Sequence, residues 1–346
     1  LLDLGYVAFF AIGAYTTGML SSPAHGIHIN FWIVIWIAAG MAAIWGFMLG
    51  APTLPLRGDY LAIVTLGFGE IVPVLFRNLI DITIKEPLTC WILPMFRINT
   101  SCITLVEHYD LTLGEKGISP IGRPSLPIIG EFESSNPITW YFLIIAIILL
   151  SVFIIRRLRD SRLGRSWMAI REDELAAAQM GINPVKTKLA AFALGATFSG
   201  FAGAFYAAYV SGIFPSVFEF STSIIILCVV ILGGIGNING VIVGGLVLMT
   251  ADRLFLPALK DFLASLLTHT VLPSISNPVV QLAVKDNTNP ILYRFLLFGL
   301  TLVIMMAVRP EGMIPNAQVR AELHPDDEPA IETETPMTNN KKSKKG

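Results

Sequence analysis

Charge is what this sequence has least of. Only 14% of its 346 residues are Asp, Glu, Lys or Arg, where a water-soluble domain carries about 25%. Hydrophobic residues make up 54% and fall in long blocks, and the mean hydropathy is +0.67. Together these exclude a disordered chain and argue against a soluble globular enzyme. Neither sign of charge dominates: 24 Lys+Arg stand against 25 Asp+Glu, a net charge of −1. No overall field therefore favours nucleic acid or an acidic substrate. Cysteine (3) and histidine (5) are scarce too. The apolar blocks hold no Ser/His arrangement, no paired Asp and no metal-ligand array, so nothing supports an intramembrane enzyme. His25 and His28 share a loop without a third ligand and read as loop residues. No G-x-x-x-x-G-K-[ST] sequence occurs. Gly233, Gly234, Gly236 and Gly240 do not follow a strand in a βαβ unit, so they make no nucleotide fingerprint. The chain calls for no cofactor, and if ATP drives it, another chain hydrolyses that ATP. No basic n-region precedes Leu1, so the start is not a signal peptide. It reads as a truncation, with one or two spans upstream.

What the sequence does have is a series of apolar segments. A membrane helix needs about 20 mostly apolar residues. Eight candidates emerge: Leu4 to Leu20, Phe31 to Leu49, Tyr60 to Ile80, Ile138 to Ile155, Leu189 to Ser211, Ser221 to Leu232, Val241 to Thr250 and Leu292 to Val308. The expected class is an all-α polytopic integral membrane protein. The sixth and seventh candidates are short and joined by Gly233-Gly234-Ile235-Gly236-Asn237-Ile238-Asn239-Gly240. They are either two short tilted spans or a re-entrant pair, the latter only where protein or water satisfies the backbone.

Lys and Arg bias sets the orientation. The segment 156–188 holds Arg156, Arg157, Arg159, Arg162, Arg165, Arg171, Lys186 and Lys188, which places it in the cytoplasm. The segment 81–137 has four basic and seven acidic residues and is placed outside. The expected domain is 1–316. The tail 317–346 runs from acids (Glu322, Asp326, Asp327, Glu328) to lysines (Lys341, Lys342, Lys344, Lys345) with little apolar content, and is expected to be disordered.

The inner segment is the most informative. Three acids, Glu172, Asp173 and Glu174, precede Ala176-Ala177-Ala178, a good helix former with acids at its positive end. Gly181 is placed to cap it and Pro184 prevents continuation. The spacing predicts one short helix, Arg171 to Met180, lying between two spans. Its small, flat surface suits a groove on another protein, or equally a loop helix lying on lipid.

Glu174-Leu175-Ala176-Ala177 with Gly181 resembles the coupling-helix segment of ATP-driven importer permeases. A larger resemblance is to the LivM-like permease subunits of the branched-chain amino acid ABC importer family. It rests on Leu1-Leu2-Asp3-Leu4-Gly5-Tyr6, on Leu56-Arg57-Gly58-Asp59-Tyr60 running to Glu70-Ile71, on Asp160-Ser161-Arg162-Leu163-Gly164-Arg165 running to Gly181, on Leu232-Gly233-Gly234-Ile235-Gly236-Asn237 and on Arg309-Pro310-Glu311-Gly312. Segments 80–110 and 253–290 look like inserts, the second an extra amphipathic or partly embedded helix. The resemblance implies one half of a heterodimeric pore in the inner membrane, with a LivH-like second permease subunit, two ATP-binding subunits and an extracytoplasmic substrate-binding protein. It implies that Arg171, Glu172, Glu174, Ala176, Ala177 and Gly181 face the ATPase, and that leucine, isoleucine and valine are the cargo. Urea permeases share similar motifs and are the alternative within the class. An ion-coupled secondary transporter using Glu70 is the alternative outside it.

Glu70 falls in the middle of its apolar segment, where a charge costs about 3 kcal/mol on insertion scales. It lines a permeation path, latches two helices, or is a neutral hydrogen-bonded Glu in the packing. Gly195, Ser199 and Gly203 recur every four residues and form a small-residue face for close helix approach, within the chain or between subunits. Cys90 and Cys102 fall in the outer segment, where a bridge is permitted. Cys228 lies inside a span.

Overall fold

The computed structural model describes residues 5–53, 59–80, 82–85, 104–126, 130–133, 136–266, 293–309 and 311–314. The expected tail, both outer cysteines and the segment 54–58 lie outside them. The chain divides into two units, Leu1–Ile226 and Leu227–Gly346.

The first unit contains α1 (Tyr6–Ser21), α2 (Phe31–Thr53), α3 (Asp59–Asn78), α4 (Pro137–Asp160), α5 (Arg162–Glu172), α6 (Glu174–Gln179) and α7 (Pro184–Val210). α1 is apolar around its whole circumference, as a helix buried on all sides must be. Val7, Ala8, Ala11, Ala14 and Tyr15 are all buried. α7 lies along both α1 and α2. It runs parallel to α1, so that Ser199 meets Tyr6 and Gly203 meets Phe10. It runs antiparallel to α2, with Leu189 and Ala196 near Gly50 and Gly46, and Ala204 and Ala208 near Phe31. α3 packs on α1 through aromatic contacts, Phe9 with Phe68 at 6.3 Å and Tyr15 stacked on Phe76 at 4.1 Å. α4 begins on Pro137 and ends with Arg157 and Arg159 in its last turn, where cations oppose the helix dipole.

The segment after α3 is stitched over one end of this bundle. Ile118 and Ile213 exchange backbone hydrogen bonds at 3.1 Å, the Gly122 N–H donates to the Ser21 carbonyl at 3.0 Å, and the Trp32 indole donates to the Ser125 carbonyl at 2.9 Å. Gly117 has φ +69°, and a Cβ there would strike the Ile213 carbonyl, so glycine is required at this crossing. The segment also contains two short antiparallel pairs, β1 (Ile82–Lys85) with β2 (Thr104–Tyr109) and β3 (Ser125–Leu126) with β4 (Gly130–Glu131). β-Branched residues in Ile82-Thr83-Ile84 and Thr104-Leu105-Val106 favour them.

In the second unit, α8 (Phe220–Gly233, which starts in the first unit) ends at the glycine turn and α9 (Ile238–Thr250) leaves it. Gly234 and Gly236 have positive φ, and Gly233 packs directly on Gly240. The two helices form a close hairpin. α9 does not stop at Thr250. It passes through a π-helical turn, Ala251–Phe255, into α10 (Leu256–Leu266). This corrects two expectations: the seventh segment is long, and Arg253 to Leu266 continues it instead of forming a separate helix. Pro257 explains the turn, since in regular α geometry its ring would meet the carbonyl of residue 253, and a wider turn relieves that clash. α11 (Arg294–Val308) brings Arg294 to 3.8 Å from Asp252.

Among the described residues five helices are long and apolar enough to cross a membrane: Phe31–Thr53, Tyr60–Asn78, Pro137–Asp160, Pro184–Val210 and Ile238–Leu263. Tyr6–Ser21, Phe220–Gly233 and Arg294–Val308 are apolar but shorter. The chain is a polytopic all-α membrane protein.

Candidate functional site

The segment between α4 and α7 is built from local signals. Ser161 is extended, ends α4 and caps α5, its hydroxyl accepting from the Gly164 N–H at 3.3 Å. A Cβ at Gly164 would strike the carbonyls of Leu158 and Arg159, so the turn demands glycine. Asp173 repeats the device. Its backbone is extended (φ −152°, ψ 114°), and its carboxylate accepts from the N–H groups of Leu175 at 2.8 Å and Ala176 at 3.0 Å, a standard N-cap. The expected single helix is therefore two. Arg171 and Glu172 close α5, and only Glu174, Ala176 and Ala177 of the predicted set belong to α6. Asp173 outcompetes helix continuation because its short side chain satisfies two otherwise orphaned donors.

The far end of α6 closes on Gly181, at φ +84°. The Ile182 N–H donates to the Ala177 carbonyl and the Gly181 N–H to that of Ala178, the paired bonds of a Schellman cap. Asn183 then caps α7 through the Lys186 N–H at 3.1 Å. Two further contacts fasten the segment to the base of α7. Lys188 Nζ lies 2.7 Å from Glu174 Oε1, and the Trp167 indole donates to the Thr187 carbonyl at 2.7 Å.

Orientation within α6 differs from the expectation in one respect. Ala177 is buried against its own chain at 4% exposure. Leu175 (74%) and Met180 (83%) are the projecting apolar side chains, with Ala176 and Ala178 exposed between them. The sequence reading passed over both. Their signal was an apolar residue at each end of an alanine run too short to bury them.

The other predicted residues lie elsewhere. The Ser199 hydroxyl donates to the Tyr6 carbonyl at 3.1 Å, and Gly203 sits against the backbone of Phe10 and Ala14. Gly195 opens onto empty space and is not part of that contact. Steps of four residues rotate about 40° each around an α-helix, so Gly195 has turned about 80° from Gly203. The contact line instead drifts with the helix through Ala196, Gly200, Gly203 and Ala207. Glu70 is exposed on α3, without a partner among the described residues. Arg77, two turns on, pairs with Glu115 at 3.6 Å and Glu219 at 3.7 Å. A cavity of about 270 Å³ lies among α1, α2, α3 and α7, lined by Phe9, Leu49, Thr53, Thr65, Phe68 and Phe192 among others. Among the described residues no charged side chain lines it. Among the described residues no cluster of His, Cys, Asp and Glu is arranged to hold a metal ion.

The family described as "Branched-chain amino acid transport system / permease component" matches residues 1–306. The chain is 34% identical over 343 residues to the high-affinity branched-chain amino acid transport system permease protein LivM of Escherichia coli (strain K12), covering 93% of this chain and 66% of that protein. It is 24% identical over 319 residues to a probable branched-chain amino acid transport permease protein LivM of Methanocaldococcus jannaschii, covering 90% and 75%. It is also 32% identical over 163 residues to the permease protein LivH of Salmonella typhimurium, covering 44% and 50%. No solved structure gives a significant match. The chain thus spans about two thirds (66%) of the length of the Escherichia coli LivM protein.

Proposed function

The chain belongs to the branched-chain amino acid transport system permease family, and from that premise we propose that it is the transmembrane permease subunit of an ATP-driven importer. It works in the inner membrane and moves leucine, isoleucine and valine into the cytoplasm. It pairs with a LivH-like second permease subunit, takes substrate from an extracytoplasmic binding protein, and is driven by two separate ATP-binding subunits.

The observation that carries this reading is the build of α6. A six-residue helix capped at both ends is far too short to be stable alone. Here it is held by the Glu174–Lys188 ion pair and by buried Ala177. It projects Leu175 and Met180 away from the chain. Such an element transmits a push: a partner groove gripping those two side chains moves α6, and the ion pair carries the motion into α7. Because α7 meets α1 and α2 partly through glycine, alanine and serine at backbone distance, those contacts hold little soft side-chain material to absorb the displacement. The small-residue line converts motion at α6 into motion of the bundle, which opens access on one side and closes it on the other.

The test is uptake in proteoliposomes holding this chain, the second permease and both ATPases, with binding protein added outside. Labelled leucine should enter only with internal ATP. Collapse of a proton gradient at constant ATP should leave uptake unchanged, and excess urea should not compete. Uptake that needs the gradient and ignores ATP would replace this reading with an ion-coupled transporter acting through Glu70. Competition by urea would overturn the cargo.

A further inference from the structure

A second cavity, of about 220 Å³, lies at the end of the bundle away from α6, between the end of α1, the start of α2 and residues 122–125. Its walls are polar where those of the first cavity are apolar. Ser21, His28, Asn30, Arg123 and Ser125 line it, and among the described residues no carboxylate does. Arg123 is half-buried, and among the described residues it has no hydrogen bond or ion pair. Arg77, at the same end, is paired twice. Glu131 lies opposite Ser125 in the β3–β4 pair, yet it forms no ion pair with Arg123.

The backbone is fixed on both sides of Arg123. The Gly122 N–H donates to the Ser21 carbonyl and the Phe132 N–H to the Pro124 carbonyl, both at 3.0 Å, and the Trp32 indole donates to the Ser125 carbonyl at 2.9 Å. A Cβ on Gly122 would come within 2.9 Å of the Ser21 carbonyl oxygen, so the crossing requires glycine. Across the cavity, Asn30 Oδ1 accepts from the Trp32 N–H at 3.1 Å, which leaves the Asn30 amide NH₂ to donate. Hydrogen-bonded walls thus hold a guanidinium fork and an amide donor around a space that no carboxylate neutralises.

We propose that this cavity is a subsite for a carboxylate group, received by Arg123 and completed by Asn30. The sign of the charge selects an anion. Arginine presents parallel N–H donors that match the two oxygens of a carboxylate. One cation balances a single negative charge, which suits a carboxylate better than a phosphate monoester of charge about −1.5 to −2. The volume falls below the roughly 300–1,000 Å³ of a site that swallows a drug-sized ligand, so the cavity takes a small acid or one acidic group. The subsite rests on the cavity's own chemistry. Its use in capture rests on the importer reading above, in which this end faces outward. Two sources there carry the same group: the free cargo amino acid, and an acidic side chain of the binding protein.

Arginine modification by phenylglyoxal tests this, with the adduct at Arg123 read by peptide mass spectrometry on the full chain in lipid nanodiscs. Acetate is titrated to about 100 mM against chloride, which holds screening constant. It should slow modification of Arg123 at least about threefold, the protection reached at twice the dissociation constant, and leave the exposed Arg162 on α5 unchanged. Protection by leucine but not by leucinamide, which lacks the carboxylate, would identify the cargo as the source. Protection by the binding protein but not by leucine would identify an acidic side chain. Protection by acetate alone would keep the subsite and remove it from the import path. Equal rates in acetate and chloride would overturn the proposal. So would an Arg123 that fails to react without any ligand, since the cavity would then be closed. None of these outcomes needs transport, so they stand apart from the ATP-dependent uptake that tests the importer reading.

Discussion

Ala177 turns inward while Leu175 on the same short helix, and Met180 at its end, turn outward, so substitutions here separate two kinds of damage. Ala177→Arg forces a long charged side chain into packed space and should lower the melting temperature of the isolated permease. Met180→Glu sits at the surface and should move its stability by less than about 0.5 kcal/mol. Thermal unfolding of the detergent-purified chain distinguishes them, and equal losses would show that α6 is oriented differently. The Glu174–Lys188 pair is partly exposed, and such pairs contribute roughly 0–1 kcal/mol. Neither Glu174→Lys nor Lys188→Glu should therefore prevent folding, yet each should uncouple ATP turnover from substrate. The double exchange should recover at least half of the coupling. A double variant no better than the singles would remove the ion pair from the transmission path. Residue type alone made the Gly181 cap legible. It could not show which alanine is buried, because that depends on where the base of α7 lies.

At the scale of elements, apolar length predicted the long helices, and capping chemistry marked the Gly181 end of the inner helix. Two features escaped. Asp173 splits that segment because local side-chain capping competes with a helix that composition otherwise favours. α9 continues through Pro257 because a π-helical turn absorbs the ring, whereas a sequence reading stops helices near proline. The α7 contact line was legible as a run of small residues, but its four-residue spacing misplaced Gly195. The structure makes a paired prediction there. Gly203→Leu drives a side chain into the backbone of α1, which cannot rotate aside, and should cost at least the 1–3 kcal/mol, roughly, of ordinary overpacking. Gly195→Leu meets open space and should be tolerated. Comparable melting temperatures for the two variants would contradict the α1–α7 packing. The meeting of the Gly233–Asn237 turn with Gly312, Met313 and Ile314, where the Met313 N–H donates to the Leu232 carbonyl at 2.9 Å, had no sequence signal beyond two separate glycine motifs.

Across the first unit as a whole, the described residues 114–125 and the segment 161–183 lie at opposite ends of the bundle. Segment 114–125 is tied to the ends of α1 and α7 that lie away from α6, while α6 hangs at the start of α7. Impermeant thiol labelling of intact cells should accordingly modify Lys116→Cys and spare Lys186→Cys, with the native cysteines replaced; the reverse pattern would invert the topology. Under the proposed function, a separate ATPase drives this chain through α6. The most direct test of this is ATP turnover by the reconstituted importer, with and without loaded binding protein, comparing the native chain with the Leu175→Glu, Met180→Glu double variant. The variant should still assemble with its permease partner, while stimulation of turnover by substrate should fall to the unstimulated level. Full stimulation in the variant, with the ATPases bound as tightly as before, would contradict it.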